Sequence, residues 1–288
     1  MGLWTGAGRV WAAVRRFVGR IRLLEVNVYA AYAAYFLLLS AFPAMMLVIG
    51  LLQFTPLSPA ELEKMLGHLV PASLSPLLDY MIRELFSVRA ATVLPVSAVS
   101  ALWMASKGVY CLYRGLGKVY TARETRHPAL VRLRCLLFTL VLLVALVTVG
   151  VMMLFGRSLL LRLQESPSPA ARLAELAVQR KYTLTVLVLT GLFSTVYTVL
   201  PNRPVRFSSS LPGGFAAAVA WVVFTHAFSL YVDRFGNYSL YYGSLSVMAL
   251  AMLWLYTCMD IFLCGGILNC ELVRLQRKKH PPAGPGDT

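Results

Sequence analysis

Long apolar runs separated by shorter polar stretches set the pattern of the chain. A helix that crosses a bilayer needs about 20 mostly apolar residues. Six segments meet that length: 27–52, 90–112, 133–155, 182–200, 211–232 and 244–268. The pattern predicts an all-α polytopic membrane protein of six transmembrane helices. It divides the chain into a basic amphipathic segment (1–26), a six-helix transmembrane domain (27–272), and a tail that is basic and then disordered (273–288).

The segment before the first span has its own periodicity. Trp11, Val14, Phe17 or Val18, Ile21 and Leu24 recur at helical spacing with arginines between them. That pattern fits an interfacial amphipathic helix on the inner leaflet, or an ordinary positive flank that happens to be helical. The run from Asn27 is longer than the apolar region of a cleavable signal peptide. Two long loops also carry helical pattern. Residues 58–87 read as two short amphipathic helices broken between Pro71 and Pro76, with Ser58 and Glu61 spaced as a capping box. Residues 164–180 continue as a helix from Pro169. Such helices cover bundle ends or line an entrance from the outer leaflet.

Composition agrees. Hydrophobic residues make up 58% of the chain and charged residues 14%. A soluble domain has roughly 45–50% apolar and about 25% charged residues. A water-soluble enzyme, a disordered chain and a disulfide-stapled secreted domain are excluded. The net charge of +15 would suggest nucleic acid in a soluble protein. Here the basic residues sit where topology puts them. The N-terminal segment, the loops after spans two and four, and the tail hold 17 Lys and Arg. The opposite side holds 9, and Lys107 within span two completes the 27. The bias places both termini in the cytoplasm.

Catalytic patterns are missing. The five cysteines form no C-x-x-C pair and none falls in an outer loop, so neither a disulfide nor a metal spacing emerges. The four histidines are far apart, and no Walker A, H-E-x-x-H or G-x-S-x-G motif occurs. No cofactor, no metal and no enzymatic activity are expected.

Ionisable residues within spans are functional candidates by default. Lys107 in span two and Asp260 in span six lie at depths differing by about 5 Å, at 1.5 Å per residue. A pair between them is geometrically allowed. It would form a polar gate or a headgroup or ion site. The alternative is that Lys107 snorkels to inner-leaflet phosphates while Asp260 hydrogen-bonds a neighbouring helix. His226 in span five is a proton-carrier candidate or an interhelical donor. Tyr29, Tyr32 and Tyr35 form a polar-tipped stripe on span one, and Ser40 follows. Pro43 removes a hydrogen bond to the Leu39 carbonyl and predicts a kink; Pro95 predicts another in span two. Small residues four apart, Ala30 with Ala34 and Ala216 with Ala220, predict close helix packing.

Several motifs together are similar to the YihY/BrkB family of bacterial inner-membrane proteins, some of which were once labelled ribonuclease BN. The resemblance covers roughly residues 20–275. Span one reads AYAAYFLLLSAFPAMM, with Ala34, Tyr35, Ser40 and Pro43 at family positions. Span two carries ALWMASKGV, with Trp103, Ser106 and Lys107. Span four ends in VLPNRPVRF with Pro201. Span five opens with LPGG (Pro212, Gly213) and is followed by a stretch containing Tyr242 and Gly243. Span six carries Trp254, Gly265, Asn269 and Glu271. Two departures stand out. Leu116-Gly117 replaces a typical Asn, and Ile267 occupies a position where the family often has an acid, so that acid's role does not carry over.

The resemblance implies a membrane protein of envelope integrity that moves lipids or other solutes. The leading expectation is a transporter or lipid-handling protein for an anionic lipid or solute. A non-transporting scaffold for envelope assembly is the alternative, and a tRNA-processing ribonuclease the third reading. The expected partners are membrane lipids, with anionic headgroups at the cytoplasmic face, and a second copy of the chain as a homo-oligomer. No nucleic acid is expected.

Overall fold

In a computed structural model the described residues are Trp11, 15–52, 90–121, 127–144, 181–202, 205–234 and 244–279. All regular structure among them is helical. The elements are α1 (15–23), α2 (Val26–Leu52), α3 (Ala90–Val119), α4 (128–144), α5 (Lys181–Val199), α6 (Phe207–Arg234) and α7 (Ser244–Lys279). Three are long and apolar enough to cross a membrane: α2 over Val26–Leu47, α6 over Phe207–Val232 and α7 over Met248–Arg274. A shorter apolar stretch, Thr185–Val199, lies on α5. Helix α3 is 30 residues long, but Ser97, Ser100, Ser106, Lys107 and Arg114 dilute its apolar character. The third predicted span is described only as far as residue 144. The two loop helices, Tyr242, Gly243 and the end of the tail lie outside the described residues.

Helix α2 packs along α3, and α5 along α6. Helix α7 joins the two pairs by touching α2, α3 and α6. In lipid there is no hydrophobic force between apolar helices, so packing depends on close approach of backbones. Glycine and alanine supply it here. Ala30, Ala33 and Ala34 of α2 are fully buried, and a Cβ on Gly108 of α3 would sit 3.3 Å from the Ala33 carbonyl. Gly115 of α3 faces Leu263 of α7, and Gly266 of α7 faces Leu116 of α3. On α6 the buried alanines are Ala217 and Ala218, not the predicted pair Ala216 and Ala220. The difference of register follows from Gly213 and Gly214, which fix the packed face one turn earlier.

The prolines do not end their helices. Pro43, Pro95 and Pro212 each lie inside a continuous helix. Backbone groups freed by a membrane proline are satisfied by neighbours, which is why such helices persist.

The segment ahead of α2 corrects the interfacial reading in part. The α1–α2 turn passes through Glu25, a left-handed residue at φ 53°. It folds α1 back so that Phe17, Ile21 and Leu24 pack on the bundle core, while Val18 stays exposed. Part of the apolar stripe is thus turned onto protein, while Trp11 and Val18 remain exposed.

Candidate functional site

The polar groups concentrate where several helix ends meet. The start of α2 and the ends of α3, α5 and α7 come together there, along with the start of α6. Asn269 of α7 is 1% exposed. Its Oδ1 accepts the Gly213 amide at 2.7 Å, and its Nδ2 donates to the Ser210 carbonyl at 3.1 Å. Ser194 of α5 donates to the same carbonyl at 3.4 Å. Tyr197 of α5 is fully buried, stacks on Phe262 at 4.8 Å and donates to the Phe262 carbonyl at 2.5 Å. Gly265 lies directly against it. Four family-motif residues, Pro212, Gly213, Gly265 and Asn269, are thus one junction.

Ion pairs tie the same end. Arg20 of α1 bonds Glu271 at 2.5 Å, and Arg274 flanks that carboxylate at 4.0 Å. Lys118 bonds Glu25 at 3.2 Å and lies 5.1 Å over the Tyr29 ring. Tyr29 and then Glu25, acting as hydrogen-bond partners, push the Lys118 ammonium above its ordinary range. Burial pushes the Tyr120 hydroxyl well above its ordinary value, against a smaller opposing effect of the Asn269 amide that faces it.

Lys107 occupies a different setting. Its ammonium lies 5.3 Å over the Phe36 ring of α2 and 5.8 Å over the Trp103 ring of its own helix. The Arg132 guanidinium of α4 lies 5.2 Å over the same Trp103 ring. Lys107 and Asp260 are at nearly the same height. Val119 and Cys270 touch through a 3.4 Å hydrogen bond. Counting back along the two parallel helices leaves a difference of about 3 Å at 1.5 Å per residue. The structure nevertheless forms no ion pair between them. Lys107 is turned to the rings, while Asp260 Oδ1 is buried with no hydrogen-bond partner among the described residues.

The other candidates fall into three settings. Ser40 and Ser106 are buried and donate to their own helices, at the Leu37 and Trp103 carbonyls. Trp254 meets Trp221 edge-on at 6.1 Å, and Pro201 is buried just beyond α5. Tyr35 is 49% exposed and His226 is also exposed, both on outward faces among the described residues. The structure brings Trp103 and Lys107 together, but not Lys107 with His226 or Tyr35. Arg132 and Tyr197 were missed by sequence reasoning. Arg132 counted only as topological charge. Tyr197 carried a usable signal, a hydroxyl inside an apolar stretch.

The family model described as virulence factor BrkB matches residues 17–287. The chain belongs to the BrkB family. Its relatives include the ribonuclease-like protein YfkH of Bacillus subtilis, 28% identical over 94% of this chain and 98% of the relative. A UPF0761 membrane protein of Alteromonas mediterranea is 25% identical over 93% of this chain and 90% of the relative. Another, from Azoarcus sp., is 36% identical over 36% of this chain and 26% of its own length. No solved structure matches. The protein is thus a multi-pass helical membrane protein of the BrkB family. The ribonuclease-like name belongs to YfkH. Among the described residues of this family member, no three His, Cys, Asp or Glu side chains gather to hold a metal ion.

Proposed function

We propose that this BrkB-family protein handles an anionic lipid or solute in the bacterial inner membrane, without enzymatic chemistry, and moves it between leaflets or along the bundle. Six spans with both termini in the cytoplasm complete the reading. The alternation of helix directions supports that topology, because the start of α2 and the ends of α3 and α7 share one end of the bundle.

One observation carries the proposal. Lys107 lies half-buried on a membrane helix, against two aromatic rings, with no carboxylate at ion-pair distance among the described residues. A charge in low dielectric is costly and needs a partner. Where the protein supplies none, an anion arriving from the bilayer is the natural counter-charge.

The test is transfer of fluorescent phospholipid between the leaflets of liposomes holding purified protein. Wild type should move lipid faster than empty liposomes, and Lys107→Ala at equal reconstitution should not. Movement equal to that of empty liposomes would favour a scaffold for envelope assembly. Movement by wild type that the variant retains would keep transport and remove Lys107 from the path.

A further inference from the structure

We infer that Lys107 and Arg132, gathered at the Trp103 ring, form a two-cation seat that selects the phosphate of a net-anionic lipid headgroup. The inference deepens the proposed function and rests on it, naming the ligand class at the same site.

The arrangement is tertiary. Trp103 and Lys107 are four apart on α3, so their contact follows from helix geometry alone. Arg132 arrives from α4, across a connection, and reaches 5.2 Å from the same centroid. The fold therefore places two like charges around one ring. No carboxylate compensates either within ion-pair distance among the described residues. Glu25 is engaged by Lys118, and Glu271 by Arg20 and Arg274. Two uncompensated cations repel each other, and the repulsion grows as water is excluded. A phosphate at the rim of the ring, within reach of both side chains, would turn repulsion into attraction to both.

The residue types suit that ligand. Guanidinium offers a planar fork that meets two phosphate oxygens, and an ammonium adds a compact point charge. The Trp103 ring is 51% exposed, so the seat opens outward from the described bundle. Tryptophan favours the level of lipid headgroups. Phosphate in solution offers the same chemistry. The apolar walls, Phe36 and Trp103, favour a phosphate attached to acyl chains, because they offer surface to a lipid and nothing to a small hydrated ion.

The experiment measures retention of radiolabelled phosphatidylglycerol and of phosphatidylcholine by the full chain purified in neutral detergent. Wild type should prefer phosphatidylglycerol by about tenfold, because both lipids offer the phosphate but the choline cation of phosphatidylcholine is repelled by the two cations. Lys107→Ala and Arg132→Ala should each bring the ratio close to one, and the double variant should add little. Lys107→Arg and Arg132→Lys keep the charges and should retain most of the preference, which separates loss of binding from loss of folding. An unchanged ratio in well-folded alanine variants would overturn the seat. Displacement of the lipid by inorganic phosphate at equal concentration would overturn the lipid assignment. Translocation is read separately. Lost retention with unchanged translocation would uphold this inference and overturn Lys107 as a transport residue, and the reverse result would overturn the inference alone.

Discussion

The Asn269 side-chain amide on α7 closes on the first turns of α6, accepting from the Gly213 amide at 2.7 Å and donating to the Ser210 carbonyl at 3.1 Å. Pro212 lies between those two positions and has no N–H to give the preceding turn. The side chain on a neighbouring helix thus steadies a stretch of backbone that its own sequence weakens. Asn269→Ala would take the acceptor from the buried Gly213 amide and leave the Ser210 carbonyl with Ser194 as its side-chain donor; a buried group left unsatisfied costs about 1–3 kcal/mol. Thermal unfolding in detergent should show a clear drop. Asn269→Asp keeps the acceptor but loses the donor and adds charge, so it should not rescue. A melting temperature unchanged in Asn269→Ala would show that the clip is dispensable.

The glycines beside that clip make a second, graded prediction. A Cβ on Gly213 would stand 2.5 Å from Asn269 Oδ1, and one on Gly265 would stand 2.5 Å from the Tyr197 hydroxyl and 2.7 Å from Ala217. Neither neighbour is a loose side-chain end, since both are locked in buried hydrogen bonds. Gly213→Ala and Gly265→Ala should lower the yield of folded protein sharply. Gly117 and Gly191 face open space among the described residues. Alanine there should be neutral or stabilising by up to about 1 kcal/mol through helix propensity. Size-exclusion profiles of the four variants at matched expression would check the ranking.

What the sequence discloses and what it withholds divide along physical lines. Helices α2, α6 and α7 were legible because lipid demands long apolar stretches, and that demand is written residue by residue. Their ends were less so. The second predicted span stops at residue 112, while α3 continues to Val119, because a helix leaving lipid keeps its hydrogen bonds and changes only its side chains. Pro212, Gly213, Gly265 and Asn269 were visible as motif positions, but their convergence was not. Nothing in a one-dimensional pattern records which faces meet. The same holds for Lys107 and Asp260, whose depths allow a pair that the structure does not form. Depth can be counted along a helix, but azimuth depends on α2 and α4, which supply Phe36 and Arg132.

Stability should fall in strong alkali, and the sign follows from two groups outside the spans. Tyr120 and Lys118 both hold their protons more tightly in the fold than in the unfolded chain. As pH rises past about 10, the unfolded chain loses those protons first. The contribution is fully present below that pH and is lost as the folded-state groups titrate above it. Tyr120→Phe removes the buried hydroxyl and should flatten the decline, and Lys118→Met should flatten it further. Melting temperatures between pH 9 and pH 12 would decide. Equal slopes in wild type and both variants would mean that other groups control the alkaline limit.

The contact between Arg20 and Glu271 predicts that α1 is held to α7 by charge as well as by packing. Both side chains are partly buried, at 18% and 28% exposure. Screening is therefore weaker than at an open surface, where such pairs contribute about 0–1 kcal/mol. Phe17, Ile21 and Leu24 add apolar packing of α1 against the bundle core. Arg20→Ala should loosen α1 without unfolding the bundle, because the buried core of α2, α3, α6 and α7 does not depend on it. Hydrogen exchange along α1 should accelerate in that variant, while α7 stays protected. Glu271→Ala should act similarly but more mildly in high salt, and the exchanged pair Arg20→Glu with Glu271→Arg should recover part of the protection. Arg274, 4.0 Å from the same carboxylate, would then face a like charge at 271, so recovery should be incomplete. Full recovery would show that Arg274 has no electrostatic part in the contact. No acceleration in Arg20→Ala would show that the apolar face alone holds α1 in place.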